Sequence, residues 1–427
     1  MGFKNFTNSK LFKSTGIYTV SSVINAAIPF MLIPILTREL STADYGVVSM
    51  AAILINIITP IIGMSAHGAV QRKFFDIEGN DFARYVGNSI FLLLGSAVLV
   101  LGLFFFFNSI ISGVTEVPGK WLYAILLIGI SQFLSLLLLA IWQVKGKAFK
   151  YGIFQISQSL INFGITIFLV VLMKSGWEGR IVGQLVAVVI GAFFCILYMK
   201  KKSYVIFEFD REYIQDILKF SLPLIPHTLG ALIIAFTDRI LITNMYGIKE
   251  TGTYTVAYQI GSVIGILTMS FNKAYIPWLF STLKKDIYTD KVKIVKFTYL
   301  YFVVLILVVI LSIYILPWFI GIVAGEDFGG ASAYTFWIVL GYAFNGMYLM
   351  VTGFLFYVKR TGVLSKITFL TAVLNFPVCY FMLKEYGTVG AAISMSIIFG
   401  VSFILTWIFS ARVYPMPWFT FMKKELS

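Results

Sequence analysis

The sequence predicts an all-α membrane fold of about twelve transmembrane helices in two six-helix bundles related by a parallel repeat. Three observations carry that expectation. The 427 residues are 59% hydrophobic and only 12% charged, with a mean hydropathy of +0.90, whereas a soluble domain has roughly 25% charged residues. Apolar runs of about 20 residues, enough to cross a bilayer, recur along the whole chain. The connections between these runs also alternate between basic and neutral.

The spans read from the apolar runs are 15–37, 45–69, 84–108, 120–143, 152–173, 179–199, 219–245, 252–280, 296–320, 332–358, 363–384 and 387–411. Most of the 33 Lys and Arg fall in every second connection: around Arg72 and Lys73, Lys145 to Lys150, Lys200 to Lys219, Lys284 to Lys296, and Lys359 to Lys366. The terminal lysines Lys4, Lys10, Lys13, Lys423 and Lys424 continue the alternation. The positive-inside rule assigns this set, and both termini, to the cytoplasm. A net charge of +14 therefore reports orientation, and no basic face on a soluble domain points to nucleic acid. Cys195 and Cys379 lie inside apolar runs and read as small core residues. The short basic segment Met1 to Lys13 is followed by no small-residue cleavage site, so the first run reads as a retained helix.

An offset of about 205 residues relates the halves. Met64, Ser65, Ala69 and Phe75 match Met269, Ser270, Ala274 and Phe280. Gly179 to Gly183 resembles Gly387 to Gly390 at the start of the sixth and twelfth spans. The expected domains are an N-terminal lobe over 1–199, a cytoplasmic linker over 200–218 and a C-terminal lobe over 219–427. Six helices per half make the repeat parallel, a common arrangement in secondary transporters.

A charge within the hydrocarbon costs roughly 2.5–3.5 kcal/mol on insertion scales, so each needs an explanation. Asp238 and Arg239 lie about two turns inside the seventh span, and Lys273 about two turns inside the eighth. Arg38 and Arg72 sit at span ends, where an interfacial anchor is the simpler reading. His67 and His227 read first as packing residues, yet histidine also carries protons near neutral pH. Gln155, Gln158 and Asn162 share one helical face, and Tyr254 and Tyr258 stand one turn apart. These amides and phenols suit either a carbohydrate or hydrogen bonds between helices. Pro29, Pro34, Pro223 and Pro226 loosen the first helix of each half. No phosphate-cradling glycine loop, metal-ligand cluster or catalytic motif is present, so neither an enzyme nor a cofactor is expected.

The stretch Leu32 to Gly46, the run Ser221 to His227, Thr237 to Ile242, Gly252 to Gln259 and Asn272 to Trp278 resemble polysaccharide-repeat flippases of the Wzx type. These belong to the multidrug/oligosaccharidyl-lipid/polysaccharide exporter superfamily. The resemblance implies translocation of an undecaprenyl-pyrophosphate-linked oligosaccharide across a bacterial inner membrane for O-antigen-type, lipopolysaccharide-related assembly. It implies two lobes facing a cationic cavity, with a polysaccharide polymerase and chain-length regulator as partners. Arg239 and Lys273 are then expected to hold the pyrophosphate, with Asp238 orienting Arg239 or, like His67 and His227, carrying a coupling proton. The coupling ion, H+ or Na+, stays open. So do three alternatives: a lipid II flippase, whose relatives generally carry further helices, a drug/cation antiporter, and a major-facilitator transporter. The last would carry a basic loop motif that Gln71 to Arg84 lacks.

Reporter fusions at Lys202 and Glu326 should report opposite sides of the membrane, cytoplasmic for Lys202. The same side for both would break the twelve-span topology.

Overall fold

The computed structural model describes residues 10–418; the terminal lysines Lys4, Lys423 and Lys424 lie outside that range. A few side chains within the first and seventh spans, those of Lys10, Lys13 and His227 among them, are also outside the described set. The first half contains α1 Lys10–Glu39, α2 Thr42–Ile61, α3 Ala66–Lys73, α4 Gly79–Phe106, α5 Asn108–Thr115, α6 Lys120–Val144, α7 Ala148–Ile167 and α8 Gly176–Lys201. A short helix, α9 Arg211–Ser221, leads to α10 Leu224–Tyr246, α11 Ile248–Leu283, α12 Tyr288–Val323, α13 Ser332–Tyr357, α14 Thr361–Tyr386 and α15 Val389–Val413.

Ten of the described helical stretches are long and apolar enough to cross a membrane. α1 and α10, at 30 and 23 residues, have the length to complete twelve. On α12, Val303, Leu307, Ile310 and Leu311 are about half exposed. Such an apolar face is a liability in water and ordinary in lipid. The chain is a multi-pass membrane protein.

Two compact units emerge, Met1–Leu232 and Ile233–Ser427. Within each, the same spans pack together. The second span lies against the fourth (α2 on α6, α11 on α13), and the sixth against the fourth and fifth (α8 on α6 and α7, α15 on α13 and α14). The repeated glycines explain part of this. A Cβ on Gly183 would stand 2.6 Å from the Thr166 hydroxyl of α7, and one on Gly390 2.0 Å from the Met382 carbonyl of α14. Both admit a close approach of the fifth and sixth spans, the membrane use of small residues. Gly261 and Gly265 do the same on α11, seating Ile338 and Tyr342 of α13.

The linker over 200–218 is strapped to the first unit. The Ile206 amide donates to the Ala83 carbonyl at 3.0 Å. The Asn88 side chain donates to the Glu208 carbonyl at 2.8 Å and accepts from the Asp210 amide at 2.9 Å. Amphipathic α9 then docks on α3 and α4, its Asp216 receiving Tyr85 at 2.8 Å and Lys73 at 3.3 Å. Burial acts to raise the Asp216 carboxyl, but these hydrogen bonds and the charges of Lys73 and Arg72 outweigh it and hold the group below its ordinary value. The seventh span begins at Leu224, later than the sequence placed it, because Lys219 to Ser221 complete α9 and Pro223 lies in the turn that follows. Pro29 and Pro34, by contrast, lie inside α1 without ending it.

One break falls where the sequence predicts continuous helix. After α2 the chain makes a single 3-10 turn over Ile62–Ser65, with φ of 71° at Gly63, 48° at Met64 and 53° at Ser65. The freed Gly63 amide donates to Ser96 Oγ of α4 at 2.8 Å, so the irregular backbone is satisfied inside the protein. The matching Met269 and Ser270 lie in the uninterrupted α11.

Gly63 has no tolerable alternative. A Cβ there would lie 2.3 Å from the Phe133 ring. A left-handed non-glycine residue costs roughly 1–2 kcal/mol and overpacking about 1–3 kcal/mol. Gly63→Ala should therefore destabilise the protein by about 2–5 kcal/mol, read as a lower melting temperature in detergent. Gly164→Ala, whose methyl meets nothing within 4 Å, should leave melting unchanged or slightly raised.

Candidate functional site

Among the described residues, the most deeply buried charges lie together in the second unit. Asp238 is 9% and Arg239 4% exposed, on α10. Being consecutive, they leave the helix about 100° apart, and their side chains reach different partners. Asp238 Oδ2 accepts the Tyr254 hydroxyl at 2.6 Å, and Oδ1 accepts the Arg239 amide at 2.8 Å. The Arg239 guanidinium lies over the Tyr258 ring, 3.8 Å from its centroid, flanked by Phe236 and Tyr254. Tyr254 and Tyr258 stand one turn apart on α11, so one helix face holds both members of the pair.

Among the described residues no ion pair joins Asp238 to Arg239. The Asp238 carboxylate meets Tyr254 and the Arg239 amide, and the Arg239 guanidinium meets the Tyr258 ring. Arg239 Nε and Nη2 are buried with no hydrogen-bond partner. Stacking offsets part of that cost, at about 2 kcal/mol for a desolvated cation–π contact. Asp238 and Tyr258 also border a cavity of about 30 Å³, lined further by Asn375, Cys379 and Ser394. It has room for one or two waters. Ser394 Oγ is buried there without a partner.

The other predicted residues do not converge on this cluster. Lys273 is exposed on α11, 15 residues beyond Tyr258, which is about 22 Å along the helix. Arg239 and Lys273 therefore stand at different depths. Arg38 is exposed at the end of α1. Arg72 is exposed on α3, 5.3 Å from the Phe220 ring centre of α9. His67 is half-buried just after the α2 break, with Nδ1 lacking a partner. His227 falls on α10, its side chain outside the described residues.

The amide face of α7 forms a polar seam in the first unit. Asn162 Oδ1 accepts from Arg180 at 3.0 Å and from Thr166 at 3.2 Å. Gln158 reaches Ser135 of α6 at 3.4 Å, Ser159 donates to Asn25 of α1 at 2.5 Å, and Gln155 is half-buried on the same face. The bonds of Asn162 to Arg180, Gln158 to Ser135 and Ser159 to Asn25 join neighbouring helices. Arg180 escaped the sequence reading because it looked like one letter of the repeated Gly179 to Gly183 motif. The available signal was Asn162, a polar residue on the facing span that needed a partner. Tyr342 of α13, 5.9 Å from Tyr258 ring to ring, and Asn375 of α14 were missed for want of any periodic signature.

Tyr254→Phe deletes the buried bond to Asp238 and should cost about 1–2 kcal/mol in melting stability. The exposed Tyr386→Phe, on α14, should cost nothing measurable. Equal melting of both variants would contradict the role given to Tyr254.

Residues 11–283, more than half the chain, match the family described as polysaccharide biosynthesis protein. Protein 1 of the Lsg locus of Haemophilus influenzae is 25% identical over 374 residues, spanning 86% of this chain and 89% of that one. Among solved structures, the lipid II flippase MurJ in its inward closed conformation superposes with a TM-score of 0.74 at 15% identity, covering 93% of this chain and 88% of that one. An inward-facing MATE family multidrug resistance transporter of the MOP superfamily gives 0.71 at 14% identity, covering 93% and 94%. This fold sets aside the major-facilitator alternative. The chain belongs to the polysaccharide biosynthesis protein family and has the fold of the MOP superfamily.

Proposed function

We propose that the protein is a flippase that carries an undecaprenyl-pyrophosphate-linked oligosaccharide across the bacterial inner membrane by alternating access, with both termini in the cytoplasm. The family match supports polysaccharide assembly, and the superfamily fold supports transport. The observation that carries the substrate class is Arg239, a permanent cation with two unpaired donors. A guanidinium fork matches phosphate oxygens, which would satisfy both donors at once. At 4% exposure Arg239 is covered in this conformation, so the headgroup reaches it only when Tyr258 swings aside. Lys273, Arg72 and Arg38, all exposed, are the proposed contacts along the route. The flipped unit would pass to a polysaccharide polymerase and its chain-length regulator for O-antigen-type polymer.

Asp238 is the proposed carrier of the coupling ion, H+ or Na+. The cavity beside it, with Asn375 and the unpartnered Ser394 hydroxyl, supports that reading. A drug/cation antiporter would use the same carboxylate but has no need of a buried phosphate-shaped donor pair.

The test is polymer export in a deletion strain, normalised to the level of inserted protein. Wild type should export best, Arg239→Lys at an intermediate level because it keeps charge and loses the fork, and Arg239→Ala least. Full export by Arg239→Ala would overturn the proposed site.

A further inference from the structure

A second cavity lies in the first unit, bordered at one point by Gln158 of the amide seam. It is a groove of about 580 Å³ along α6, α7 and α8, within the roughly 300–1,000 Å³ typical of ligand pockets. Its walls are almost wholly apolar. Phe154 stacks on Phe194 at 5.6 Å and meets Trp142 edge-on at 5.8 Å. Phe149, Ile153 and Ile190 border it and are about half exposed or more. An apolar, open groove on a membrane protein is filled by lipid chains and not by water.

One end of the groove is basic. Lys150 lines it and donates to the Tyr198 hydroxyl at 3.1 Å. Tyr198 in turn meets Tyr204, which accepts Lys147 at 2.5 Å and carries Lys145 over its ring at 4.8 Å. Among the described residues no carboxylate pairs with any of these three lysines. Their charge is therefore uncompensated, at the end of the bundle that the basic-residue pattern assigns to the cytoplasm.

The groove also has a length. From Lys150 to Ile161 on α7, and from Tyr198 back to Ala187 on α8, it spans 11 residues, which is about 17 Å. Half of a hydrocarbon core of roughly 30 Å is about 15 Å. The groove therefore fits a chain one leaflet long with an anion at its basic end. A polyprenyl chain would overrun it.

We propose that this groove is a binding site for an anionic phospholipid of the cytoplasmic leaflet, one acyl chain lying between α7 and α8 and the phosphate held by Lys150 with Lys147 behind it. The site would bind its lipid whatever cargo the protein carries. Basic pockets between transmembrane helices on the cytoplasmic side are a known setting for anionic headgroups.

The full chain, reconstituted in vesicles of equimolar phosphatidylglycerol and phosphatidylcholine and then extracted for native mass spectrometry, should retain one phosphatidylglycerol in preference to phosphatidylcholine. Lys150→Gln and Lys147→Gln should each reduce that preference about fivefold. Ile153→Trp, which fills the groove from a half-exposed position, should lose the lipid while its helical circular dichroism stays unchanged. Equal retention of the two lipids by the wild type would overturn the proposal, as would a preference that survives the double lysine variant. Displacement of the bound lipid by equimolar undecaprenyl phosphate would also overturn it, assigning the groove to the lipid-linked substrate.

Discussion

Inside a bilayer no water satisfies a polar group, so every donor, acceptor and charge this chain carries into the membrane must find its partner in the protein. The rest of the structure follows from that constraint. It makes the chain helical. It sends Ser and Thr hydroxyls back to carbonyls one turn earlier, as Thr37 does to Ile33 and Thr298 to Ile294. It ties Asn162 to Arg180, and the broken backbone at Gly63 to Ser96. Where the constraint is not met by a hydrogen bond, as at His67 Nδ1 and Ser221 Oγ in the first unit and at Ser394 and Arg239 in the second, Arg239 carries a full charge.

The two halves share a packing plan and differ in chemistry. The same spans pack in each, and Gly183 and Gly390 open the same fifth-to-sixth contact. Yet only the first half breaks its second span, and only the second half buries Asp238 and Arg239. A feature required by the repeated fold would be expected in both halves. The break at Gly63 and the charge pair at Asp238 each occur in one, so neither is part of the scaffold's own needs. Irregular backbone at membrane depth is tolerated where it is enclosed by protein or lines a cavity. Gly63 and Ile62 are indeed buried, and His67 follows directly.

Hydropathy and charge alternation made the spans legible, because a membrane crossing is encoded by about 20 consecutive residues and needs no tertiary information. The charged residues of the second unit were legible for the same reason, since an Asp–Arg dipeptide inside an apolar run stands out. What surrounds them was not. Tyr258 under Arg239, Tyr254 on Asp238, and Asn375 and Ser394 around the cavity come from three further helices, and only packing brings them together. Consecutive positions also suggested a pair, whereas a helix turns adjacent side chains about 100° apart. The break after α2 was hidden because Pro60 lies inside the helix, two residues before Ile62, and Met64 and Ser65 carry no left-handed preference.

Arg239 is hard to explain as structure alone. A guanidinium at membrane depth costs roughly 2.5–3.5 kcal/mol on insertion scales before any donor is left open. The Tyr258 face returns about 2 kcal/mol, and two unpaired buried donors add to the deficit. An apolar side chain of similar volume would pack there without that debt, as replacements of buried ion pairs elsewhere indicate. The neighbouring Asp238 charge offsets part of the deficit, and an acceptor bound at the fork would remove more of it. A residue held by an aromatic face, with its fork unused, is stable enough to persist and unsatisfied enough to capture an anion. That combination suits a transporter, whose site must hold its cargo in one state and release it in the next.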